Sequence, residues 1–241
     1  MKDIHTHILP GLDDGASNLE ESLEILKCAS SNGVTDVVLT PHYIKNSTYN
    51  ANNKRKKNIL EALKKEIKKN NININLYLGN EVYIDENLIS LYKEISTINN
   101  SRYILIELSL TTKYHLVEKV ICELINNNLI PIIAHPERYI SYYSDYDFFE
   151  ILVKKGCLLQ GNIGSLYGLH GRKAKKMLKG LLKRNLIHVI ASDVHHNKKI
   201  YEKNIEKALL KIIKDKKIVE NLIEINPDKI INDKEISNRM E

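Results

Sequence analysis

Cysteine is scarce, with three residues in 241. Cys28, Cys122 and Cys157 fall inside apolar periodic stretches and show no paired spacing, which excludes a disulfide framework or a thiolate metal site and predicts reduced core thiols. Long apolar runs are missing too. None approaches the roughly 18 residues of a membrane span, and the opening Met1-Lys2-Asp3-Ile4-His5 has no apolar signal core, so the expectation is a cytoplasmic protein without membrane insertion. No internal repeat, low-complexity linker or composition break divides the chain. A single domain spanning 1–241 is expected, long enough for one large core. Aromatic residues do not interleave with the basic runs Lys54-Arg55-Lys56-Lys57 and Lys173 through Arg184. The formal charge of +6 therefore predicts solvated helix faces and no nucleic-acid stacking platform.

Short apolar runs rich in β-branched residues alternate with longer helical patterns, the mark of repeated βα units around a parallel sheet. Seven runs are predicted as strands, near Asp3–His7, Asp36–Thr40, Asn75–Gly79, Tyr103–Glu107, Pro131–His135, Cys157–Gly161 and His188–Ser192. The first helix is expected to start at a capping box of Ser17 and Glu20, to carry Leu19, Leu23 and Leu26 on its apolar stripe, and to stop at Gly33. Further helices are predicted at about Ala51–Lys69, His115–Asn127, Asp147–Lys155, Arg172–Arg184 and Lys203–Lys214, with one more short element after Pro227. The count fits a (β/α)7 barrel, whose functional rim lies at the carboxyl ends of the strands.

Nine side chains fall where these runs stop: His5, His7, Asp14, His42, Glu81, Glu107, His135, Asp193 and His195. His5-Thr6-His7 puts two imidazoles on one side of an extended segment, and Asp193-Val194-His195 repeats the device with a carboxylate and an imidazole. One such residue caps a strand or helix as readily as it binds an ion. Nine converging on one rim predict a multinuclear metal site.

The string Asp3-Ile4-His5-Thr6-His7-Ile8-Leu9-Pro10-Gly11-Leu12-Asp13-Asp14-Gly15-Ala16, with His135-Pro136-Glu137-Arg138-Tyr139 and Ser192-Asp193-Val194-His195, resembles the PHP family, named for its polymerase and histidinol phosphatase members. Within that family it is similar to the manganese-dependent protein-tyrosine phosphatases of bacterial capsule and exopolysaccharide synthesis. The resemblance spans the chain and implies a distorted seven-stranded, TIM-like barrel holding three divalent ions, usually manganese, with iron or zinc as alternatives. It implies that His5, His7, Glu81 and Asp193 hold the first ion, that Glu81 bridges to a second completed by Glu107 and His135, and that Asp14, His42 and His195 hold the third. Asp13 competes with Asp14 for the last position. The implied substrate is the tyrosine-rich tail of an autophosphorylating bacterial kinase at the inner membrane face. Any homo-oligomer is left open.

Nine ligands with one bridging give about ten bonds for three ions, leaving positions for water and phosphate oxygens. Four carboxylates against three divalent ions leave a charge of about +2, which attracts a phosphate dianion. The chemistry predicted is in-line attack of metal-activated hydroxide on phosphorus, with Arg138 clamping the phosphoryl group and His196 as a candidate proton donor. Tyr139, Tyr142, Tyr143 and Tyr146 either flank an aromatic substrate or form a plain tyrosine-rich loop. A cysteine nucleophile is excluded, because the position six residues after each cysteine holds Val34, Asn128 or Ile163 in place of the phosphate-cradling arginine. The rival readings are a histidinol phosphate phosphatase or other small phosphomonoesterase, and a non-catalytic phosphopeptide-binding regulator.

Overall fold

The apolar runs form parallel strands, but two of the seven break partway. The computed structural model describes residues 1–91, 94–109 and 112–236. Its strands are β1 (Lys2–Thr6), β2 (Asp36–Leu39), β3 (His42–Tyr43), β4 (Asn75–Leu78), β5 (Glu81–Tyr83), β6 (Tyr103–Glu107), β7 (Ile130–Ala134), β8 (Leu158–Asn162) and β9 (Val189–Ala191). They make two parallel sheets, β1-β2-β4 and β3-β5-β6-β7-β8-β9. The predicted runs Asp36–Thr40 and Asn75–Gly79 thus end early, and His42 and Glu81 begin new strands instead of terminating old ones. Pro41 has no N–H to give a ladder, which breaks the first run. The Asn80 amide ties both breaks together by donating to the Pro41 carbonyl at 2.8 Å. At the other seam, Asp193 N–H donates to His5 O and His7 N–H to Val194 O, each at 2.9 Å, so the first and last strands meet and the barrel is distorted but joined.

Alternation along the strands separates an inner core from an outer one. Tyr103 and Leu105, Ile132 and Ala134, and Val189 and Ala191 pack together with Ile4 and Val38. The residues between them, Ile104, Ile106, Ile133 and Ile190, join the larger core shared with the helices. In β8 the inner parity begins with Leu158 and continues upward as Gln160 and Asn162, both fully buried. The strands therefore carry apolar residues at the bottom of the barrel and polar ones at the rim.

The helices are α1 (Leu19–Ser31), α2 (Asn53–Lys69), α3 (Tyr114–Asn126), α4 (Tyr146–Lys154), α5 (Ile163–Tyr167), α6 (Gly171–Lys183), α7 (Ile205–Ile213), α8 (Lys216–Glu220) and α9 (Asn226–Ile231), with a π turn at Asn221–Ile225. Helix α9 is the element expected after Pro227, and it contains that proline near its start, where helical backbone runs on from the π turn at Asn221–Ile225. Its Ile230 and Ile231 join the inner core and close the barrel floor. Three local expectations need correction. The N-cap of α1 is Asn18, not Ser17: its side chain accepts from Glu21 N–H at 3.0 Å while Glu21 reaches back to Ser17 N–H at 2.8 Å. Leu19 is exposed, because the buried stripe runs through Ser22, Ile25, Leu26 and Ala29. Lys56, read as solvated surface, is fully buried. Its ammonium donates to Asn80 Oδ1 and to Ser96 Oγ, and burial pushes its pKa down to about 7. Among the described residues no helix is long and apolar enough to cross a membrane.

Candidate metal centre

The rim gathers all nine predicted side chains, and its centre is built from acceptors without donors. His5 Nδ1 lies 2.8 Å from Gln160 Oε1, and Gln160 spends its own amide N–H on Gly161 O, so the His5 ring must donate through Nδ1. Likewise His7 Nδ1 donates to Asp13 Oδ2 at 2.7 Å. In the neutral rings both Nε2 atoms are then bare lone pairs, yet they stand 3.2 Å apart. Glu81 Oε2 lies 3.1 and 3.2 Å from them and Asp193 Oδ1 lies 3.3 and 3.4 Å away. Glu81 Oε2 and Asp193 Oδ1 are buried without a hydrogen-bond partner. Four acceptors turned on one another repel unless a cation lies among them, and separations of this size suit adjacent ligands about 2.1 Å from a divalent ion. The donor set fits a metal.

A second group joins Glu81 and Glu107 with His42, whose Nδ1 is 3.1 Å from Glu81 Oε2 and 3.6 Å from Glu107 Oε2. A third joins Asp14, His42 and His195 with His7; Asp14 Oδ1 is 3.5 Å from the Nε2 of both His42 and His195. His42 thus faces two groups through its two nitrogens. His135 stays outside these three groups and approaches Glu81 Oε1 through Nε2 at 3.0 Å. Charge follows the geometry. Burial pushes His5 down, but the Glu81 and Asp193 carboxylates outweigh it and hold the ring up at about 9. Burial and then the Glu81 charge push Glu107 up to about 8. Without cations, the cluster recruits protons.

Local backbone places these groups. Two of the nine positions adopt left-handed backbone, His135 (φ 32°) and Asp193 (φ 54°), a strained conformation that clusters at functional sites. Asp193 and His195 therefore do not share the face of a simple extended segment; the kink sends Asp193 to the first group and His195 to the third. His195 Nδ1 lies 3.0 Å from Asp193 O, which leaves its Nε2 for a ligand role. The loop from His7 to Ala16 folds back so tightly that a Cβ on Gly15 would lie 2.0 Å from His7 O. This turn separates the two aspartates. The Asp13 side chain is buried and saturated by His7, His42 N–H and Gly15 N–H; burial raises its pKa, but those three donors outweigh it and hold the carboxyl down at about 2. Asp14 is half exposed and faces the third group.

Arg138 donates from one terminal nitrogen to Asp193 Oδ2 at 2.7 Å, so its partner is Asp193 and not Glu137. Glu137 is buried beneath it, accepting from Asn162 N–H at 2.9 Å. His196 turns away to Glu21 Oε1 at 2.7 Å. Tyr139 and Tyr142 are buried; the Tyr139 hydroxyl donates to Ala134 O and accepts from Leu108 N–H, so these two brace the rim from below. All three cysteines are free, with Cys157 buried and Cys28 and Cys122 partly so. Residues that the sequence reading passed over are Gln160 and Asn162, the latter donating to Asp193 Oδ2 at 2.8 Å. Their signal was present as two amides at alternate positions of an apolar strand.

The comparisons agree with this geometry. The capsular polysaccharide synthesis family CpsB/CapC matches residues 1–232. The tyrosine-protein phosphatase YwqE of Bacillus subtilis (strain 168) is 33% identical over 202 residues, covering 82% of this chain and 78% of that protein. The tyrosine-protein phosphatase CpsB of Streptococcus pneumoniae is 32% identical over 205 residues, covering 81% and 83%. A crystal structure from work on YwqE and CpsB, described there as metal-dependent tyrosine phosphatases, superposes with a TM-score of 0.86 at 28% identity over 98% of this chain and 96% of that one. Histidinol phosphate phosphatase from Lactococcus lactis, with a TM-score of 0.57 at 13% identity over 92% and 95%, shares the fold. This chain belongs to the CpsB/CapC family of capsular polysaccharide synthesis.

Proposed function

We propose that this chain is a metal-dependent protein-tyrosine phosphatase that acts in the cytoplasm, with residues 1–241 working as one unit. The observation that carries the reading is the donor-free cluster of His5 Nε2, His7 Nε2, Glu81 Oε2 and Asp193 Oδ1, in a chain whose relatives are named tyrosine phosphatases. These four residues would hold one ion. Glu81 and Glu107, with His135 or His42, would hold a second, and Asp14, His42 and His195 a third. Oxygen-rich ligation without thiolate suits manganese, and the imidazoles also suit zinc or iron. Bound ions at such a site activate water and neutralise the phosphoryl oxygens.

The chain's own groups do the rest. Asp13 and Gln160 fix the His7 and His5 tautomers so that Nε2 faces the ion. Asn162 and Arg138 both hold the second oxygen of Asp193. That bond is the only side-chain hydrogen bond of Arg138 among the described residues, which leaves donors of its planar fork for a phosphoryl oxygen. Tyrosyl phosphate suits a site without a dedicated proton donor, since a phenol of pKa about 10 leaves more readily than an alkyl alcohol. His196, paired with Glu21, is given no part in proton transfer. The substrate is a tyrosine-phosphorylated protein of capsule synthesis, in the simplest case an autophosphorylating kinase at the inner membrane face. The test is phosphate release from a phosphotyrosine peptide by chelator-stripped protein before and after manganese, with His135→Ala and histidinol phosphate as controls. Manganese-restored release absent from the variant is expected. Release only from histidinol phosphate, or binding of peptide without release, overturns the reading.

A further inference from the structure

Beside the metal cluster lies a cavity of about 330 Å³ bordered by Gly164, Leu169, His170, Asp193, His195 and Ile200. Two of these, Asp193 and His195, belong to the candidate ion groups, so the cavity opens from the place where a phosphoryl group would sit. The opposite wall is a short turn between α5 and α6. Gly168 (φ 81°) and Gly171 (φ 88°) both adopt left-handed backbone, and Leu169 N–H and Gly171 N–H are tied to Gly164 O and Gly168 O at 2.9 and 3.1 Å. The turn is therefore fixed, and it holds Leu169 out with 56% of its surface exposed. The His170 ring lies across Gly164, where a Cβ would come within 2.6 Å of its Nε2. A backbone that holds an aliphatic side chain beside a charged rim has gone against the hydrophobic gain of burying it.

We propose that this cavity is the aryl subsite, taking the phenol ring of phosphotyrosine with Leu169 against the ring and His170 and His195 along its edges. The inference rests on the phosphatase reading and names which part of the substrate the cavity recognises. One bridging oxygen separates the phosphorus of phosphotyrosine from its ring, so a phosphoryl group at Asp193 and Arg138 must place that ring in space adjoining the ligands. The space on the His195 side has an aliphatic wall and imidazole faces, against which an aromatic ring packs well. A seryl phosphate carries only a methylene there and would leave the volume to water. Leu169 and His170 thus set specificity without touching phosphorus or metal.

The experiment is steady-state kinetics of the manganese-loaded full chain on a phosphotyrosine peptide, with inorganic phosphate as a competitive inhibitor that carries no ring. Leu169→Ala is expected to raise KM for the peptide about tenfold, with kcat within about twofold and the inhibition constant of phosphate unchanged. His170→Ala, at a second exposed position, is expected to shift KM in the same direction. Bound manganese per chain, measured in parallel, must match the parent. An unchanged peptide KM in both variants overturns the aryl subsite, as does a phosphate inhibition constant that rises in step with KM. If the unsubstituted chain binds manganese yet hydrolyses no phosphotyrosine, the phosphatase reading fails before any variant is made.

Discussion

Replacing Asp13 by Asn keeps the shape of the side chain and removes one acceptor. Oδ2 of Asp13 serves both His7 Nδ1–H (2.7 Å) and His42 N–H (2.9 Å), while Oδ1 serves Gly15 N–H (3.0 Å). An amide has one oxygen, so each of its two orientations fails somewhere. With the oxygen toward His7, the amide N–H₂ meets Gly15 N–H, a buried donor is left unmatched, and stability falls by about 1–3 kcal/mol. With the oxygen toward Gly15, the N–H₂ faces His7 Nδ1, the ring changes tautomer, and a proton lands on the Nε2 that faces the ion. Loss of an outer partner of this kind costs roughly 10–100-fold in metal affinity, or about 1.4–2.7 kcal/mol. The assays are urea unfolding of the chelated protein and manganese titration of the refolded one. Asp14→Asn is the control, since Asp14 is half exposed, and it should weaken metal binding while leaving the unfolding midpoint in place. If Asp13→Asn matches the parent in both assays, the assignment of Asp13 as the residue that orients His7 is wrong.

Burial holds His188 near 4, as a neutral ring whose Nδ1 accepts from Leu159 N–H. The unfolded chain binds its proton near 6.5, so this contribution is full above about 6.5 and is lost as pH falls toward 4. By pH 5 about 2 kcal/mol of stability has been lost in this way, and His188→Gln should remove that slope from urea unfolding midpoints measured between pH 7 and 5. Lys56 obeys the same sign, with a folded value of about 7 against about 10.4 unfolded. Stability should rise with pH between those limits by up to about 1.4 kcal/mol per unit, and Lys56→Met should flatten the rise. Gly15→Ala places a methyl 2.0 Å from His7 O, so the loop must open; bound manganese per chain, measured by mass spectrometry, should drop while far-ultraviolet dichroism holds. A thiol alkylator should leave phosphate release intact and a chelator should abolish it, since burial pushes the Cys157 thiol above the range where a thiolate forms.

The seven-run pattern was legible because parallel strands buried on both faces need unbroken apolar stretches, and the histidines and carboxylates at their ends were equally visible. What the pattern could not carry was discontinuity. Thr40-Pro41-His42 and Gly79-Asn80-Glu81 read as strand ends, whereas in space each is a step from one sheet to the other, and only tertiary pairing decides that. Asp13 and Asp14 are neighbours with the same side chain, and their separation into a buried brace and an exposed rim carboxylate depends on the fold-back at Gly15. Lys56 sat in a run of four cations and looked like its neighbours, because the polar pocket that receives it comes from Asn80 and Ser96, distant in sequence.

The two steps between sheets have a mechanical consequence. His5 and His7 extend from the three-stranded sheet, whereas Glu81 opens β5 and Asp193 follows β9, both in the six-stranded sheet. An ion among them would rivet the seam, and its withdrawal would leave a cluster held only by the protons it takes up. The free energy of filling the site is then also free energy of holding the two halves together, so the melting temperature should track free metal concentration, and an organism short of the metal would lose the scaffold's stiffness along with its chemistry.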